Sequence, residues 1–79
     1  MAKVFANTLD QPERDVVESM VLSAIEPLPE SSAWSVFILQ IRGLPEVYIS
    51  IECSDRVVRS WLFGGSLEPI RERIRRDLQ

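Results

Sequence analysis

The chain has 79 residues, a formal net charge of −3, 46% hydrophobic and 27% charged residues, which suits an ordinary globular fold and argues against disorder. It has no histidine and a single cysteine, Cys53. That excludes an intrachain disulfide, an ordinary Ser–His or Cys–His catalytic pair, and the usual zinc ligand sets.

A chain of this length is expected to form one small α+β domain over residues 1–79, with a thin core. Good packing or oligomerisation must then supply the stability that staples supply elsewhere. The first ten residues hold no apolar signal-peptide core, and no run approaches the ~20 apolar residues that span a bilayer. A lone cysteine suits a reducing compartment. The expectation is a soluble cytoplasmic protein without cofactor or metal, and not an enzyme. Charge is uneven: residues 1–32 carry a balance of −4 and residues 33–79 a balance of +1.

In chain order, residues 1–9 read two ways. Lys3-Val4-Phe5-Ala6 forms either a short edge strand or a tail whose Phe5 tucks under a helix. A first helix follows. Asp10 and Glu13 fit a capping box, and Pro12 is tolerated in a first turn. Val17, Met20, Val21, Ala24 and Ile25 recur at helical period as one apolar stripe. Glu13, Asp15 and Glu18 crowd the end where the helix dipole favours anions. Pro27 ends the helix, because the residue before a proline leaves the α region. The stretch "EPLPESS" reads as a loop.

Two strands come next. Residues 34–41, "WSVFILQI", are apolar on both faces. Residues 47–53, "VYISIEC", alternate cleanly, with Val47, Ile49, Ile51 and Cys53 on one side and Tyr48, Ser50 and Glu52 on the other. A three-residue loop, Gly43-Leu44-Pro45, would set Arg42 opposite Glu46. That register puts Phe37, Leu39 and Ile41 on the face of Val47, Ile49, Ile51 and Cys53, and a one-residue slip would mix the faces.

"SDRVVRSWLFGG" allows a third strand or a helix capped by Ser54 with a Val57, Val58, Trp61, Leu62 stripe. Its β-branched and aromatic content favours the strand. Ser66 is a good N-cap for a last helix, with Pro69 in its first turn and Leu67, Ile70, Ile74 and Leu78 as its buried stripe. The order is α-β-β-β-α, an antiparallel three-stranded meander with two helices and a possible extra strand at the start. This order resembles that of double-stranded-RNA-binding domains at the level of topology. Such domains carry a lysine-rich cluster at the start of the last helix, where this chain reads Leu67-Glu68-Pro69-Ile70, so no family is assigned.

If both helices cover one face, the other carries Trp34, Val36, Ile38 and Tyr48, joined by Val57, Trp61 and Phe63. Monomers rarely leave such a patch in water, and Trp and Tyr are enriched at interfaces. Trp34, Val36, Ile38, Tyr48 and Trp61 are therefore the candidate partner-binding residues, for a second copy of the chain or another protein. The bland alternative is that helices on opposite faces, or Val4 and Phe5, cover this surface and make it core.

Chemistry offers less. Cys53 sits at a strand core position, where cysteine is usually a small hydrophobe. Gly64-Gly65-Ser66 lacks the lysine and glycine spacing of a phosphate loop. Arg56, Arg59, Arg71, Arg75 and Arg76 are the candidates for a nucleic-acid site. Against that, Glu68–Arg71, Glu72–Arg75, Glu72–Arg76 and Arg73–Asp77 have the spacing to pair along a solvated helix. The expectation is a protein–protein interaction module (adaptor, regulator or inhibitor), with nucleic-acid binding as the alternative.

Overall fold

The computed structural model describes residues 2–64 and 69–78. The elements run β1 (Lys3–Asn7), α1 (Glu13–Ile25), a 3-10 turn (Pro29–Ala33), β2 (Ser35–Gln40), β3 (Val47–Cys53), β4 (Arg56–Phe63) and α2 (Ile70–Leu78). The sheet order is β1-β2-β3-β4. The meander β2-β3-β4 is antiparallel, and β1 joins it as a fourth strand, parallel to β2. Parallel neighbours need a crossover of a dozen or more residues, which the segment carrying α1 provides. This is an α+β fold.

The N-terminal segment is thus the edge strand of the two readings. Asn7 ties it to α1: its side-chain amide donates to the Arg14 carbonyl at 3.0 Å and to Glu18 at 3.2 Å, while its oxygen accepts the Leu9 N–H. Thr8 Oγ1 accepts the Gln40 N–H at 2.8 Å, joining the far ends of β1 and β2.

Helix α1 buries Val17, Val21, Ala24 and Ile25 with Met20 beside them, so the stripe read at helical period faces the core. The capping box does not form. Pro12 occupies the N-cap position without a side-chain cap, and Asp10 contributes its backbone carbonyl to the Arg14 N–H. Glu26 closes the helix ahead of Pro27. The following loop is not irregular throughout, since Pro29–Ala33 forms the 3-10 turn.

Segment 56–63 is a strand. Ser54 and Asp55, both at positive φ (51° and 65°), make the tight turn that leads into it. Such angles suit the two-residue hairpin connection, and Asp tolerates them well. The register shifts between Ile51 and Glu52, so that an extra β4 residue bulges near Val58. In α2, Ile70 and Ile74 are buried and Leu78 packs at the margin. Pro69 accepts the Arg73 N–H through its carbonyl. Ser66, Leu67, Glu68 and the Gly65-Ser66 step lie outside the described residues.

The β2–β3 register corrects the expected pairing. Gln40 sits opposite Val47, so residues 41–46 form the connection and Arg42 and Glu46 are not strand partners. Gly43, at φ +87°, and the Leu44 N–H to Ile41 carbonyl bond build a separate turn inside this loop. The slip is one residue, and one residue exchanges the faces of β2. Val36 now lies opposite Ile51 and Ile38 opposite Ile49. These four β-branched residues are fully buried, together with Val21, Ile25 and Ile74 from the helices.

Both helices pack against each other on this one face of the sheet. Trp34, Val36, Ile38 and Trp61, expected on the uncovered face, are core residues beneath them. Phe63 is buried there too. The physical reason is that β2 is apolar on both faces, so its own alternation does not choose which one turns inward.

Candidate protein-interaction face

The other face of the sheet has no helix against it among the described residues, and the register assigns its occupants row by row. One row across the strands reads Lys3, Ser35, Glu52 and Val57. The next reads Ala6 with the bulged Phe5, then Phe37, Ser50 and Ser60. The last reads Leu39, Tyr48 and Leu62. Exposure is high for large apolar groups: Phe5 is 70% accessible, Leu62 60% and Tyr48 40%. Phe5 and Phe37 stack with ring centroids 5.7 Å apart, forming an aromatic ridge over β1 and β2. At ~150–250 Å² per aromatic side chain, Phe5 and Tyr48 alone expose on the order of 200 Å². With Leu62, Val57 and Val58 also open, the patch reaches the size that marks interaction surfaces.

Of the five residues expected to bind a partner, only Tyr48 lies on this face. Trp34, Val36, Ile38 and Trp61 are held from partners by the helices. The residues that sequence reasoning put elsewhere are Phe37 and Leu39, expected in the core, and Phe5 and Leu62. Their signal was present in the apolar double face of β2; the missing fact was the register.

Ser50 is unusual within the patch. It is 3% exposed, and its hydroxyl has no hydrogen-bond partner. Its larger neighbours overshadow it, leaving a polar atom at the floor of the face. At the edge of this surface Glu52 and Lys3 supply opposite charges.

The arginines are dispersed. Asp77 collects two of them, Arg59 at 3.8 Å and Arg76 at 3.5 Å, and also accepts the Trp61 indole N–H at 2.8 Å. That hydrogen bond first, and then the two guanidinium groups, hold the Asp77 carboxyl below the ordinary carboxylate range. Arg73 lies over the Phe63 ring, 5.1 Å from its centroid. The helical period places Arg71 and Arg75 on the opposite flank of α2 from Asp77 and Arg73, with Glu72 between the two groups. Arg71 and Arg75 thus lie apart from Arg59 and Arg76, which meet at Asp77. Through Trp61 and Arg59 of β4, Asp77 ties α2 to the edge of the sheet.

Among the described residues no three His, Cys, Asp or Glu side chains cluster as metal ligands, and no helix is long and apolar enough to cross a membrane. Cys53 is half-buried at the end of β3. A hollow of about 400 Å³ between Ala2, Leu22, Ile25 and Leu28 is mainly apolar and gathers no set of catalytic groups. No known protein family, curated protein or solved structure matches this chain.

Proposed function

We propose that this protein is a protein–protein interaction module that works through the open face of its sheet. The observation that carries the reading is the one-sided cover: both helices lie on one face, while Phe5, Phe37, Leu39, Tyr48 and Leu62 stand together on the other. Fully burying a side chain of this size is worth ~1.5–3 kcal/mol, so a partner that covered several would gain much of a stable association energy. Flat apolar strands with a polar margin suit protein contact better than small-molecule chemistry, which needs a concave site with convergent polar groups. The role is that of an adaptor, regulator or inhibitor acting by contact.

Sedimentation of the tagged protein, alone and in lysate of its native cell, compared with Leu62→Glu, tests this. The native protein is expected to sediment above its 9.0 kDa chain mass in at least one condition, and the variant to sediment as the bare chain. Identical sedimentation of both at the bare-chain mass in every condition refutes the reading.

A further inference from the structure

The open face is self-complementary, and we infer that its partner is a second copy of this chain, stacked sheet on sheet about a two-fold axis parallel to the strands. This inference rests on the interaction-module reading above and adds the occupant and the geometry.

The register of the middle row supplies the shape. It reads large, large, small, small: Phe5 and Phe37 over β1 and β2, then Ser50 and Ser60 over β3 and β4. A two-fold axis along the strands, passing between β2 and β3, exchanges the two halves of the sheet. It lays β1 over the partner's β4 and β2 over the partner's β3. Phe37 of each copy then sits above the partner's Ser50, and Phe5 above the partner's Ser60. Phe5 of each copy thus meets the open position at the partner's Ser60, while Phe37 seats on the side chains that cover the partner's Ser50, and both contacts occur twice, as an isologous interface demands. Opposed sheets pack about 10 Å apart, a gap that an aromatic ring over a serine fills and two opposed phenyl rings would overfill.

The same operation aligns the remaining rows. Leu39 of each copy meets the partner's Tyr48, an apolar contact. In the first row, Lys3 lands beside the partner's Glu52, one strand away, and Glu52 beside the partner's Lys3. The two charges of this row thus pair with opposite sign in both halves. The axis perpendicular to the strands lacks this property, because it brings the charged row over Leu39, Tyr48 and Leu62.

The size of the face agrees with a modest dimer. Four strands ~4.8 Å apart and about 20 Å long give a footprint of roughly 20 × 20 Å before side-chain relief is counted. That falls toward the small end of stable interfaces, which average about 800 Å² per partner. Association is therefore expected to depend on concentration.

The test uses the full chain with two charge reversals, Lys3→Glu and Glu52→Lys. Each variant alone would face like charges in both halves of its dimer, whereas an equimolar mixture restores both opposite-charge pairs. Light scattering across a concentration series is expected to show the native chain rising toward about 18 kDa, twice its 9.0 kDa mass. Each variant alone should associate on the order of tenfold more weakly, and the mixture should recover native association as heterodimers. Circular dichroism checks that both variants fold. A native chain that stays at 9.0 kDa up to about 1 mM overturns the second copy as partner, while association with another protein would still uphold the interaction module. A dimer that Leu62→Glu dissociates, but whose charge variants gain nothing on mixing, overturns the geometry and leaves the face as the interface. A dimer indifferent to both Leu62→Glu and Phe37→Ser overturns the inference and the reading beneath it together.

Discussion

The Trp61 indole N–H donates to the Asp77 carboxylate at 2.8 Å, joining the edge strand β4 to the last helix across the margin of the core. Arg59 and Arg76 flank the same carboxylate. The interaction is charge-assisted, and such hydrogen bonds are stronger than neutral ones.

Its pH dependence follows from the direction of the Asp77 shift. The folded-state pKa lies below the ordinary carboxylate value of 3.8, so the contribution to stability is complete above that value. It is lost as pH falls through the lowered folded pKa. Asp77→Asn is expected to be less stable than the native protein near neutrality, with the gap closing in acid below about pH 4. Urea titrations followed by tryptophan fluorescence at several pH values check this. A gap that stays constant into acid contradicts it.

Ile38 and Leu62 predict opposite responses to the same substitution. Ile38 is fully buried opposite Ile49, so Ile38→Glu places a carboxylate in the core. The penalty of several kcal/mol competes with a total stability of ~5–15 kcal/mol, and the variant should unfold. Leu62 is 60% exposed, and Leu62→Glu should change monomer stability by no more than about 0.5 kcal/mol. Thermal melts of the two variants distinguish the helix-covered face from the open one.

Ser50→Ala should be neutral or stabilising by up to about 1 kcal/mol, although it removes a polar group from a structured strand. The hydroxyl is buried without a partner, so nothing is lost with it and its desolvation cost disappears. Chemical denaturation measures the change. A destabilisation above about 1 kcal/mol would show that the hydroxyl is satisfied in solution.

The divided arginines predict weak polyanion binding. At roughly 0.15 M salt the protein should pass through a heparin or DNA column, since each retained contact there rests on phosphate neutralisation. Retention that vanishes in the Arg71→Glu, Arg75→Glu double variant would favour a nucleic-acid role instead. Salt-gradient elution of the native and double-variant proteins is the measurement.

Local chemistry was readable residue by residue. The stripe from Val17 to Ile25 is a helix because its period admits no strand, and Pro27 stops it. The alternation of β3 marks its inward residues, and Val47, Ile49 and Ile51 do face the helices. Ser54-Asp55 and the β-branched run after it allow a hairpin. These features depend on neighbours within a few positions, which is the range over which sequence pattern reports directly.

Three decisions needed the folded chain. Parallel pairing of β1 with β2 joins segments separated by the whole of α1, and nothing local in Lys3–Asn7 announces it. The face of β2 follows from a one-residue choice of register, which Val36, Phe37, Ile38 and Leu39 leave open because all four are apolar. In the fold, β-branched Val36 and Ile38 complete a buried layer with β-branched Ile49 and Ile51, and Phe37 and Leu39 turn outward. The side of the sheet taken by α2 is settled by its contact with α1 and by Trp61 and Asp77. By itself the sequence determined α1, the two central strands and the excess of apolar surface, since these rest on local composition and period, while it left residues 1–9 and 56–63 open. Tertiary structure alone decided which apolar residues stay uncovered, because that depends on register and helix placement between distant parts of the chain.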